Sequence, residues 1–188
     1  MRNIIITALI GLSLLACADK KIKSENNLSQ STKDKTETKE ETKNSFSAKE
    51  IINSYLSIKN ALTKDDGKAT AEAAKKLFET LEATKADALD KEKKSIFIDI
   101  YESMRENAEH ISANAGNVEH QREHFALLSR DINDLTDNFG TAGLKLYLDF
   151  CPMYNKQKGA IWISEKKEII NPYYGSKMSD CGSVKKQL

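Results

Sequence analysis

Apolar residues between Ser47 and Gly140 recur at steps of three and four, the spacing that lines one face of an α-helix, and polar breaks divide them into four stripes. Ser47-Ala48-Lys49-Glu50 has the spacing of a capping box, and Ile51, Tyr55, Ile58 and Leu62 follow it at helical intervals. Asp65 or Asp66 can cap a second helix, whose inward face carries Thr70, Ala73, Ala74, Leu77, Phe78 and Leu81. A third, from about Asp90, sets Ile96, Phe97, Ile100, Tyr101, Met104 and Ile111 on one side. Asn117 caps a fourth, with the stripe Phe125, Leu128, Ile132, Leu135 and Phe139, and Gly140 ends it. Short connections between amphipathic helices make sequential neighbours antiparallel, so the pattern predicts an up-and-down four-helix bundle.

After Gly143 the period changes. Leu144, Leu146, Leu148 and Phe150 alternate with Lys145, Tyr147 and Asp149, and Ala160-Ile161-Trp162-Ile163 is a second short strand candidate. A helix over 144–150 is also consistent, because Leu144, Leu148 and Cys151 fit that period. Asn171-Pro172-Tyr173-Tyr174-Gly175 is turn chemistry. The expected fold is mainly α, the bundle followed by a small, irregular β-containing C-terminal element. Residues 46–188 suffice for one such domain with a sizeable core.

The residues before 46 have a different composition. Met1-Arg2-Asn3 is a short positive stretch, and Ile4 to Ala16 is an uncharged, mostly apolar run too short to span a bilayer, which together read as a signal peptide over 1–16. Leu14-Leu15-Ala16-Cys17 resembles a bacterial lipobox, which would make Cys17 the lipidated first residue of the mature chain. The expectation is an envelope lipoprotein, anchored to a membrane and facing the periplasm. From Ala18 to Ser45 only Ile22 and Leu28 are larger apolar groups, so 17–45 reads as a disordered tether with an end-to-end distance of roughly 30 Å. Without residues 1–16 the chain has 28 basic and 28 acidic side chains. That balance offers no basic surplus for phosphate backbones, and nucleic acid is excluded as a partner.

Sulfur supplies the candidate chemistry. Cys151-Pro152-Met153 and Met178-Ser179-Asp180-Cys181 each pair a thiol with a thioether, at i, i+2 and i, i+3. Such spacings share a face in an extended segment and a helical turn respectively, and both ligand types favour Cu(I). The second reading is a Cys151–Cys181 disulfide, which would close a loop of about 31 residues and contribute roughly 3–4 kcal/mol, with Met153 and Met178 as core residues. His120 and His124, at i, i+4, could complete or replace a metal site, His124 above all since it borders the Phe125 stripe; a helix-surface pair without metal is the alternative. His110 stands alone at a helix end, where interaction with the terminal carbonyls is expected. Neither a phosphate-binding glycine loop nor a Gly-x-Ser-x-Gly elbow is present, carboxylates are spread evenly, and binding is expected rather than catalysis. Trp162, Tyr173 and Tyr174 read as core aromatics with polar tips, or as a ligand platform.

The tail resembles the domain of unknown function 3347 (DUF3347) of exported bacterial proteins. The residues that carry the resemblance are Cys151-Pro152-Met153, Gly159, Trp162, Ser164, Asn171 to Gly175, Met178 and Cys181-Gly182. Gln121-Arg122, Phe125 and Leu128-Ser129 of the fourth helix add to it, so that it covers most of 47–184. Tyr154 and Ser179 depart from the small residue and the Leu usual there. Members occur alone or at the C-terminus of periplasmic adaptor subunits of heavy-metal efflux pumps, which implies copper or silver handling and, as partners, efflux or copper-transport proteins. Cys-Pro-Met also looks like the opening of a short heavy-metal-binding domain of metal pumps. The expected function is capture and transfer of Cu(I) or Ag(I) at Cys151, Met153, Met178 and Cys181.

Overall fold

The computed structural model describes residues 46–188; Cys17 and the stretches expected to be a signal peptide (1–16) and a tether (17–45) lie outside the described residues. Four helices come first: α1 (Lys49–Leu62), α2 (Gly67–Ala83), α3 (Lys91–Ala113) and α4 (Val118–Phe139). Each packs on its successor, α1 on α2, α2 on α3 and α3 on α4, the order expected of an up-and-down bundle. Fully buried Ile51, Tyr55, Ile58, Leu62, Leu77, Leu81, Met104, Ile111, Phe125, Leu128, Ile132 and Leu135 form the core. No helix among the described residues is long and apolar enough to cross a membrane.

Three helices start where their caps predict. The Asp66 carboxylate accepts from the Ala69 N–H at 2.9 Å, Asp90 from the Lys93 N–H at 2.9 Å and Asn117 from the His120 N–H at 3.1 Å. The capping box at Ser47 does not form. Ala48 already has helical dihedrals and is the cap residue, so Glu50 falls one position too early to reach back, and the Ser47 hydroxyl accepts from Lys49 N–H instead. Phe46 closes that end of the bundle, its ring 4.8 Å from Phe97 and 5.1 Å from Phe139.

The C-terminal element is a three-stranded antiparallel sheet, β1 (Tyr147–Cys151) flanked by β2 (Ala160–Ser164) and β3 (Ser183–Gln187), with β2 packed on α4 and α1. Residues 147–151 are strand, so the helical alternative fails. The alternation in β1 also has the opposite phase to the one expected. Leu146 and Tyr147 are both buried, which breaks the period at the strand's start, and Tyr147, Asp149 and Cys151 then face inward. On the other face the Phe150 ring is covered by Gly159, where an added Cβ would meet it at 2.3 Å, and by the Lys185 ammonium 4.9 Å away. β3 is polar and mostly exposed, and periodicity alone does not reveal it.

Candidate functional site

The sulfur corner is built by the Asn171 turn. Asn171 Oδ1 accepts from Tyr173 N–H at 2.7 Å and Tyr174 N–H at 3.2 Å, while its amide nitrogen donates to the Cys181 carbonyl at 2.5 Å. Arg122, fully buried on α4, fastens the same turn: its Nε donates to Pro172 O at 2.9 Å, and its terminal nitrogens reach Leu62 O, Glu119 and Asp65. Asp65 in turn accepts from the Ser176 N–H and hydroxyl. Those Ser176 hydrogen bonds, then Arg122, hold the Asp65 carboxyl down at about 2. Gly182 permits the final approach, because a Cβ there would lie 2.7 Å from Trp162, at a φ of +149°.

With the turn so placed, Cys151 at the end of β1 and Cys181 before β3 bring their sulfurs to 3.2 Å, both as free thiols. Cys151 is buried and Cys181 half-exposed. Burial, then the hydrogen bond to Cys151, pushes the Cys181 thiol up to about 11; the Met153 backbone N–H opposes the rise. The methionines are tied to this corner through their backbones. β1 stops at Cys151, so Met153 does not share its strand face; it is 49% exposed, at the entrance to a turn in which Asn155, Lys156 and Gln157 all have positive φ. Its carbonyl accepts from the Tyr174 hydroxyl at 3.1 Å. Met178 is half-buried, and its carbonyl accepts from Cys181 N–H at 3.4 Å. Neither methionine is a core residue.

Trp162 and Tyr173 are buried. The Tyr173 hydroxyl bonds to Ile161 O and Ser129, and its ring stacks on Tyr154 at 4.3 Å. Tyr174 is half-buried. Beneath the sheet lies a set of charges that sequence reasoning did not single out. Lys59, 1% exposed, pairs with Glu165 at 2.8 Å, and burial lowers its pKa against the pull of that carboxylate. Asp149 is fully buried and neither of its oxygens has a hydrogen-bond partner among the described residues. Burial pushes its carboxyl up to about 7, with Lys59 opposing.

The histidines form a second cluster. His110 is not alone at its helix end: its ring stacks on His124 with centroids 4.3 Å apart, and His120 sits edge-on to His124 at 4.7 Å. A ring nitrogen from each of the three lies within 4.8 Å of the others, so the trio could hold a metal ion. The signal was present in the sequence, since a connection of only four residues folds the end of α3 back on the start of α4. Positions at similar distances from that turn, such as 110 and 120, must then meet.

Residues 51–143 match the family described as a protein of unknown function, DUF3347, and this helical region belongs to that family. The match spans the four helices and includes Gln121, Arg122, Phe125, Leu128 and Ser129; it ends before β1, so the tail motif from Cys151 to Gly182 lies beyond it. No curated protein and no solved structure matches the chain.

Proposed function

We propose that the chain is a membrane-anchored envelope protein that captures and transfers a soft monovalent metal, Cu(I) or Ag(I), and is not an enzyme. The observation that carries this reading is the convergence of the Cys151 and Cys181 sulfurs, 3.2 Å apart, between two turns that each bear a methionine. Thiolates and thioethers together select Cu(I). The raised Cys181 pKa means that loading must displace a proton, so an ion is taken up by exchange from a donor and released by reprotonation. Half-exposed Cys181 and exposed Met153 offer the route by which a donor's or acceptor's sulfur reaches the ion. Cys17 supplies the lipid anchor, and efflux or copper-transport proteins are the natural exchange partners. In an oxidising compartment the same separation favours a second reading, a Cys151–Cys181 disulfide with no metal, because closing 3.2 Å to a bond of about 2.05 Å needs little movement.

Replacing Met153 and Met178 together with Leu separates the two. The exchange keeps apolar volume, so the variant folds, yet Cu(I) affinity measured by chelator competition should fall at least tenfold. Equal Cu(I) affinity in variant and parent, with the cysteines bridged whenever the domain is folded, leaves the disulfide reading in place. For the anchor, Cys17→Ser should move the protein from the membrane to the soluble fraction with the domain still folded; retention on the membrane overturns it.

A further inference from the structure

The histidine cluster lies on α3 and α4 and shares no residue with the sulfur corner on the tail. Its two α4 members are already held in one tautomer. The Asn107 amide nitrogen donates to Ser103 O at 2.9 Å, which fixes the amide and leaves Asn107 Oδ1 as the acceptor facing His124 Nδ1 at 3.0 Å. An amide oxygen only accepts, so His124 carries its proton on Nδ1 and keeps a lone pair on Nε2. His120 Nδ1 faces the Glu123 carboxylate at 3.2 Å, with the same consequence. Imidazoles whose second nitrogen is bonded to an amide or carboxylate oxygen are the arrangement seen around bound metals, where the outer partner fixes the ring and raises its basicity. Asn107 is itself anchored through Ser103 and Asp131, so orientation of His124 extends into the bundle.

We propose that His110, His120 and His124 are a three-imidazole site for a borderline divalent cation, Zn(II) or Cu(II), separate from the sulfur corner. A tetrahedral ion with metal–nitrogen distances of about 2.0–2.1 Å holds its ligand nitrogens about 3.3 Å apart. The three rings, within 4.8 Å and exposed or half-exposed, reach that by side-chain rotation on fixed helices. Nitrogen ligands suit divalent zinc and copper, whereas the sulfur pairs suit Cu(I), so the domain sorts ions by ligand type at its two sites. His110 is exposed, which leaves the fourth coordination position open to water or to a partner's side chain.

Co(II), whose spectrum reports its ligands, is the probe. Added to the full chain, it should give visible d–d bands without the near-ultraviolet charge-transfer absorption of a thiolate, and Zn(II) should displace it. His110→Gln and His120→Gln, both at the surface, should each weaken Co(II) and Zn(II) binding at least tenfold while the circular dichroism and thermal midpoint stay as in the parent. Asn107→Leu should weaken binding about 10–100-fold and shift the His124 ring nitrogen resonances toward the other tautomer. Thiolate charge-transfer bands in place of the d–d signature, no binding at all, or parental affinity in both Gln variants would each overturn the site. None of these readouts depends on whether Cu(I) binds the sulfur corner.

Discussion

Asp149 is the residue where folding and ionisation conflict most directly. Its carboxyl is buried without a hydrogen-bond partner among the described residues and is pushed up to about 7, well above the value near 3.8 of a free side chain. The raised value means that its contribution to stability is fully present below about 4, declines as pH rises through about 7, and is then absent. The whole difference is on the order of 4 kcal/mol. Asp149→Asn should therefore melt like the parent below about pH 4 and above it at pH 8, with calorimetry across that range as the check; a parallel pH profile in the two proteins refutes the assignment. Lys59 acts in the opposite direction, so Lys59→Met should raise the Asp149 midpoint followed by carboxyl carbon resonances. A fixed or lowered midpoint would mean that Lys59 does not act on this carboxylate.

At the scale of elements, the helices were legible because their determinants are local. Asp66, Asp90 and Asn117 cap within three residues of themselves, and the stripe from Phe125 to Leu135 needs only one face to find a core. The phase of β1 was not legible, because it depends on the sheet docking on α4 and α1 with Asp149 inward, an arrangement that no hydrophobicity pattern favours. Of the candidate site, the meeting of Cys151 with Cys181 was common to the metal and the disulfide readings of the two sulfur pairs. The partner of His124 could not be read from helix four alone, since His110 comes from the preceding helix. The tail's own geometry rests on single glycines. Gly182→Ala places a methyl group 2.7 Å from the buried Trp162 ring and should destabilise the domain by about 1–3 kcal/mol in denaturant unfolding. An unchanged midpoint would mean that β3 is not held at this distance.

For the whole molecule, Phe46 is the first described residue, and its ring packs between Phe97 and Phe139. A chain beginning at Ser45 should keep the full melting midpoint, and one beginning at Ser47 should lose about 1–3 kcal/mol, the range for removing a half-buried aromatic. Equal stability of the two would place the domain boundary inward of Phe46. The bond from Ser176 to Asp65 joins positions 111 residues apart, whereas the helices meet their sequence neighbours through short turns. Contacts between neighbours in the chain form early, and closing so long a loop is deferred until its rewards are collective. The tail is thus the last part of the chain to arrive: in pulse-labelled hydrogen exchange the amides of α3 and α4 should become protected before that of Ser176. The two thiols lie 30 residues apart within that tail, so chemistry that joins them, by a bond or through an ion, reports the tail's own assembly and not its docking on the helices.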